Sequence, residues 1–219
     1  MKICFLTKKD KPGVRDAIRF LESLAENIDI FYDQDHKNFP KSILKKKYDL
    51  LISYISPWII SKRVLERTTK WNINFHPGPP EYPGIGCFNF AIFDSSETFG
   101  STAHIMLPKV DSGNIIGVKR FAMTNNETVE SLSLKTYKAQ LSLFKKVISY
   151  IFSNDCLPKS DEIWKRKAFK RTELEKLCEI KFSMNTQEVE KRIRATYFPG
   201  KPAPYIKFLG HKFELNPNR

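Results

Sequence analysis

Asn74-Phe75-His76-Pro77-Gly78 ends an apolar run and passes directly into Pro79-Pro80-Glu81-Tyr82-Pro83-Gly84-Ile85-Gly86. From Pro77 to Gly86 there are four prolines and three glycines in ten residues, a composition that no regular element tolerates. A strand therefore stops at His76 and a shaped loop begins. Working back from it, Lys2 to Thr7, Ile28 to Tyr32 and Asp49 to Tyr54 are three earlier apolar runs. Between them lie a helical pattern entered through Pro12 and running to about Glu26, a basic helical segment ending near Lys47, and the Trp58 to Thr68 segment. Strands that alternate with helical patterns at this spacing predict right-handed βαβ units. The fold class is α/β, a Rossmann-like, mainly parallel sheet with helices on both faces. Functional loops of such sheets gather at the carboxyl ends of strands, which is where His76 stands.

Working forward, Phe88 to Phe93 reads as a helix, and Ser101 to Leu107 and Ile115 to Ala122 read as strands. Thr128 is placed to cap a long helix in which Leu134, Tyr137, Leu141, Phe144, Ile148 and Ile151 recur at spacings of three and four. That stripe predicts core packing. Beyond Asp155 the character changes to charged helical pieces, with a last helix from about Asn185 to Ala195. Tyr205 to Leu209 and Lys212 to Leu215, around Gly210-His211, predict a terminal hairpin. The expected organisation is a catalytic domain over residues 1–155 and a small carboxyl-terminal helix and β-hairpin region over 156–219, packed on it without a low-complexity linker.

The chain has 219 residues, 41% of them hydrophobic and 13% aromatic, enough for a sizeable core. Its longest apolar candidate, Leu50 to Ile60, is broken by Ser53, Ser56 and Pro57, short of the ~20 residues a membrane span needs. Met1 to Leu6 is too short for a signal-peptide core, so a cytoplasmic protein without a membrane partner is expected. Cys4, Cys87, Cys156 and Cys178 lack metal-ligand spacing, which predicts reduced packing cysteines and no metal. A formal charge of +13 favours anionic partners such as phosphates. The basic residues are dispersed and form no single tract, which permits nucleic acid without calling for it.

The chemistry centres on three residues. Asn74 and His76, two apart on an extended segment, point to the same side. Asp111, in Val110-Asp111-Ser112-Gly113, can hold the imidazole. Together they offer an amide donor for developing negative charge, a ring that moves protons near neutral pH, and a carboxylate that orients the ring. The other histidines, His36, His104 and His211, lack such neighbours in the sequence and are assigned structural or surface roles.

With Asn74-Phe75-His76-Pro77, the loop Glu81-Tyr82-Pro83-Gly84-Ile85-Gly86 and Val110-Asp111-Ser112-Gly113-Asn114-Ile115 in this order, the chain resembles the 10-formyltetrahydrofolate-dependent formyltransferases over roughly residues 1 to 155. The wording of His76 to Gly84, and the tail Ile193-Arg194-Ala195-Thr196-Tyr197-Phe198-Pro199-Gly200, resemble the branch that formylates nucleotide-linked amino sugars. That branch acts on dTDP-linked 4-amino-4,6-dideoxyhexoses for O-antigen or other surface polysaccharides. The resemblance implies 10-formyltetrahydrofolate as formyl donor, held near Ser53, Tyr54, Ile55, Leu107, Lys109, Val110 and Asp111, largely through backbone groups. It also implies Asn74, His76 and Asp111 as catalytic residues, with a nucleotide sugar, in preference to nucleic acid, as the small-molecule partner; a homodimer is allowed for. On the acceptor side Lys8, Lys9 and Arg15 are placed to meet a diphosphate, and Phe75, Pro77, Gly78, Tyr82 and Tyr197 to shape the sugar or base subsite. Strand-end, solvated-lysine and packing-aromatic readings stand beside these assignments.

Two rivals remain at this level. A methionyl-tRNA formyltransferase would share the chemistry, although those enzymes carry a larger carboxyl-terminal domain than follows here. A non-catalytic nucleotide-sugar or nucleic-acid binding protein would keep the basic surface and leave the trio dispersed. The glycinamide ribonucleotide branch opens with a glycine- and serine-rich loop, from which Thr7-Lys8-Lys9-Asp10-Lys11-Pro12-Gly13 departs.

Overall fold

The computed structural model describes residues 1–33, 39–201 and 203–216; His36 lies outside them. The four apolar runs are four parallel strands, β1 (Ile3–Lys8), β2 (Ile28–Asp33), β3 (Tyr48–Tyr54) and β4 (Thr68–His76). Two antiparallel strands, β5 (Thr98–Ile105) and β6 (Ile115–Ala122), complete a six-stranded sheet in the order β2-β1-β3-β4-β5-β6. The β5–β6 pair needs no crossover, because a single loop reverses the chain between neighbouring antiparallel strands.

Alternation along the strands divides the side chains between two faces. Ile3, Phe5, Ile52, Tyr54, Ile73 and Phe75 point toward α1 (Val14–Glu22) and α4 (Val129–Asn154) and form one core cluster. Its centre is Phe144, whose ring lies 5.0 Å from Phe75 and 5.1 Å from Tyr54. On the opposite face Cys4, Leu6 and Leu51 pack with Ile43, Trp58, Val64, Leu65 and Met106. Ile43 belongs to a 3-10 turn (Lys41–Lys45), and Val64 and Leu65 to the short α2 (Lys62–Leu65).

Several boundaries differ from the sequence reading. Helix α1 ends at Glu22, earlier than Glu26, because Ser23 turns the chain and the Asn27 carbonyl must accept the Ile3 N–H at the start of β1. Helix α4 starts as expected at the Thr128 cap, whose hydroxyl accepts the Ser131 N–H while Ser131 returns a bond to Thr128 N–H. Its buried face departs from the apolar stripe, however. Leu134 is exposed, whereas Leu132, Thr136 and Gln140 are fully buried. Gln140 is drawn inward because its side-chain amide nitrogen, Nε2, donates to the Phe75 carbonyl at 2.6 Å, a bond that hydropathy does not register.

Beyond Asp155 the chain runs without a regular element to Lys170, then forms α5 (Arg171–Cys178), α6 (Thr186–Thr196) and the hairpin β7 (Tyr205–Phe208) and β8 (His211–Glu214). Leu209 and Gly210, both at positive φ, make its two-residue turn. Phe169, Leu177 and Ala195 from this region share a cluster with Tyr82, Phe90, Phe99 and Leu132, where α3 (Cys87–Phe93) provides the bridge. Among the described residues no helix is long and apolar enough to cross a membrane.

Candidate active site

In β4, Asn74 and His76 fall on the face opposite Phe75, as a two-residue repeat requires. Phe75 is therefore a core ring against Phe144, and its assignment to the acceptor subsite is corrected. The antiparallel register then places His104 of β5 directly opposite Asn74. Cross-strand neighbours of this kind lie about 5 Å apart at Cβ. His104 is thus a site residue, not the isolated structural histidine that its sequence neighbours suggested.

Asp111 joins the two histidines. Its Oδ2 lies 3.4 Å from His76 Nδ1, and its Oδ1 lies 3.1 Å from His104 Nε2. Each ring is pinned on its other side by a backbone carbonyl. His76 Nε2–H donates to Tyr82 O at 2.9 Å, and His104 Nδ1–H donates to Ile105 O at 2.9 Å. Each imidazole consequently presents the one nitrogen that can gain or lose a proton to the same carboxylate. When His104 Nε2 is unprotonated it accepts from Asn74 Nδ2 at 3.0 Å; a proton there turns it into a donor toward Asp111. Backbone N–H of Gly84 donates to Asp111 Oδ2 at 2.7 Å.

Burial alone would raise the Asp111 carboxyl. The His76 charge, the His104 bond and charge, and the Gly84 N–H oppose it and hold the group well below the usual carboxylate range. His76, His104 and Asp111 are 5%, 2% and 7% exposed, so these interactions act in a water-poor setting.

The local backbone is shaped for this arrangement. Asp111 has φ 43° and Ile55 has φ 54°, a left-handed conformation uncommon for any non-glycine residue and costly for a β-branched one. A Cβ on Gly113 would stand 1.9 Å from Ile105 O, so the V-D-S-G turn depends on glycine for close approach. One on Gly78 would stand 2.6 Å from His76 Nε2. Ser101 and Thr102 hydroxyls donate to His76 O and Gly78 O, both at 2.8 Å, which tethers the proline-rich loop to β5. Pro77 O accepts from the buried Cys87 thiol, whose pKa is pushed up to about 12 by burial.

The remaining predicted residues separate into those that rim the site and those that do not. Ser53 lies beside Asn74 in register, on the site face of β3. Tyr54 faces the α4 core and is fully buried, so only its backbone can reach a ligand. Leu107, Lys109 and Val110 are exposed on the loop before Asp111. Tyr82 contributes its carbonyl to His76, but its ring is parallel to that of Phe169 and its hydroxyl is bonded to Asp94 and Ser96; of its two readings, sugar or base subsite and packing aromatic, the ring follows the packing one. Tyr197 terminates α6. Lys8 ends β1, level with Ile55 and His76 and two strand spacings from β4, about 10 Å. Burial, Lys11 and Lys201 push its ammonium below the ordinary lysine value. Lys201, unforeseen from sequence, thus adds its charge to that of Lys8. Arg15 is exposed beside Asp10 at 3.9 Å, and Lys9 is exposed.

Trp164, from the irregular segment after Asp155, was also unforeseen. Its Nε1–H donates to Gly113 O at 2.8 Å, and its ring lies 5.0 Å from His104 and 6.0 Å from His76. Among the described residues, no group of three or more His, Cys, Asp and Glu side chains is arranged for a metal ion.

Residues 30–148 match the family model described as Formyl transferase. A methionyl-tRNA formyltransferase of Buchnera aphidicola (subsp. Acyrthosiphon pisum, strain Tuc7) is 25% identical over 194 residues, covering 85% of this chain and 59% of that relative. The chain thus spans less than two thirds of that relative's length. Among solved structures, a 4-N formyltransferase from Francisella tularensis has the same fold, with TM-score 0.76, 21% identity and 98% coverage of both chains. An N-formyltransferase from Helicobacter canadensis, solved with folinic acid and dTDP-3-aminofucose, superposes with TM-score 0.72 at 19% identity, covering 89% of this chain and 80% of that one.

Proposed function

The chain belongs to the formyl transferase family, and on that premise we propose that it moves a formyl group from 10-formyltetrahydrofolate to the amine of a dTDP-linked 4-amino-4,6-dideoxyhexose. The observation that carries the reaction type is the buried Asp111 held between two imidazoles, with the Asn74 amide beside them. This is proton-transfer machinery with an adjoining oxyanion donor.

The residues around Asp111 fit a flat, hydrogen-bonding donor. Leu107–Val110 is exposed, and the backbone is turned at Ile55 and Asp111. Ser53, Ile55 and Leu107–Asp111 would hold the folate, which when bound supplies an activated formyl carbon. His76 Nδ1 is the atom placed to accept the proton of an attacking amine, since its Nε2 is committed to Tyr82 O. Asp111 stabilises the ring in that charged state and keeps it aimed. Asn74, when released by protonation of His104, donates to the oxygen that becomes negative as the amine adds. The proton on His76 is then available to the departing nitrogen.

Support for the sugar acceptor comes from two sides. Lys8, Lys11 and Lys201 concentrate positive charge at the carboxyl end of β1, where a diphosphate would be gripped. The fold matches a 4-N formyltransferase, and an N-formyltransferase solved with dTDP-3-aminofucose, over most of their length. A second reading, formylation of methionyl-tRNA, is favoured by the sequence relatives. Mass spectrometry after incubation with the folate donor separates the two. A formyl-sized gain on a dTDP-linked 4-amino sugar, lost in His76→Asn, is expected. A gain on the 3-amino isomer alone reassigns the position, and a gain confined to methionyl-tRNA overturns the sugar reading.

A further inference from the structure

The geometry points to Trp164 as a positioning residue of this centre: its indole closes off the two imidazoles on Asp111, so that the working site is completed by the segment after Asp155. This deepens the formyl-transfer reading and rests on it for its kinetic consequences.

Three separate parts of the site meet the indole. Its ring stands at 82° to His104 and 73° to His76, edge-on contacts that fix both ring planes, and its N–H holds the glycine of the Asp111 turn. The segment carrying it is fastened along the proline-rich loop. Arg120 bridges Glu162 to Glu81, Lys165 N–H donates to Pro80 O at 3.0 Å, and Phe169 N–H donates to Pro83 O at 2.9 Å. Ile85 N–H returns a bond to Phe169 O at 3.1 Å. A strap with anchors on either side of Trp164, made to β6 and to the proline-rich loop that follows His76, sets the indole's place. Gly84 has room for this strap only without a side chain, since a Cβ would meet Phe169 O at 2.5 Å.

An indole in this place does two things. It excludes water from ring nitrogens that must exchange protons with substrate while paired with Asp111, and it prevents the imidazoles from tilting away. It donates no proton to either ring and need not touch the donor or acceptor.

Trp164→Ala, Trp164→Leu and Trp164→Phe test this in the full chain. For Trp164→Ala, kcat should fall about 100-fold, the scale of a small misplacement of catalytic groups, with donor and acceptor KM little altered and a displaced pH–rate profile. Trp164→Phe, which keeps a ring edge, should recover most of the loss. A reading independent of turnover is carbethoxylation of His76 and His104 by diethylpyrocarbonate, located by peptide mass spectrometry. Both should react faster in Trp164→Ala, or in Trp164→Leu should the alanine variant fold poorly, while the exposed His211 serves as reference. Unchanged carbethoxylation, or loss of kcat equal in the Phe and Ala variants with an unmoved pH profile, overturns the proposal. If the wild-type enzyme formylates no acceptor, the functional reading fails, and the carbethoxylation comparison still decides whether Trp164 shields the rings.

Discussion

Replacing Asp111 by Asn keeps the shape of the side chain and removes its charge, so it isolates what the carboxylate does. An amide oxygen at the Oδ2 position can still accept the Gly84 N–H, and an amide nitrogen at the Oδ1 position can donate to unprotonated His104 Nε2. The fold is expected to survive. What disappears is the attraction between the carboxylate and a proton arriving on His76 Nδ1, 3.4 Å away. At an effective dielectric of about 20 that attraction is ~5 kcal/mol, or between three and four powers of ten in the occupancy of the charged ring. The kcat for formyl transfer should therefore drop by at least ~1,000-fold. The sign of the accompanying pH effect also follows. Because the folded-state pKa of Asp111 is depressed, its ionisation contributes stability above its unfolded pKa, about 4, and that contribution is lost as pH falls below it toward the folded value. Melting curves of wild type and Asp111→Asn should separate most near neutral pH and converge in acid. Turnover within tenfold of wild type, or melting curves that diverge as pH falls, would refute the reasoning.

Gly113→Ala forces a Cβ against the Ile105 carbonyl at 1.9 Å, and since the obstacle is backbone, a loss of at least ~2 kcal/mol should appear as a lower urea midpoint. Thr128→Ala removes the hydroxyl that accepts the Ser131 N–H at the start of α4, and the cost measured in the same assay should be ~1 kcal/mol, with little effect on kcat. Lys8→Met removes one of the clustered cations, so calorimetry should show weaker dTDP binding and a shallower dependence on salt; an unchanged salt slope would place the diphosphate elsewhere.

Much of the scaffold is legible without tertiary information because it depends on short-range alternation. Four apolar runs separated by helical patterns imply the parallel order, and the two-residue spacing of Asn74 and His76 implies that they share a face, since neither inference needs knowledge of any partner strand. The glycine of Val110-Asp111-Ser112-Gly113 likewise signals a tight turn in the sequence, though its reason, the Ile105 carbonyl beneath it, is spatial.

The rest was decided by pairing register and by contacts across long stretches of chain. His104 becomes part of the site only because β5 runs antiparallel to β4 and sets it opposite Asn74, which no feature around His104 announces. Tyr82 acts through its carbonyl, a group every residue has and composition cannot rank. Gln140 is buried in α4 because one carbonyl in β4 awaits it, against the hydropathy pattern of its own helix. Lys201 acts electrostatically on Lys8, and Trp164 reaches Gly113, His76 and His104, from far along the chain. Periodicity reports how neighbouring residues share a face; which distant side chain completes a buried hydrogen bond or covers an imidazole depends on how whole layers pack, and only the folded chain contains that answer.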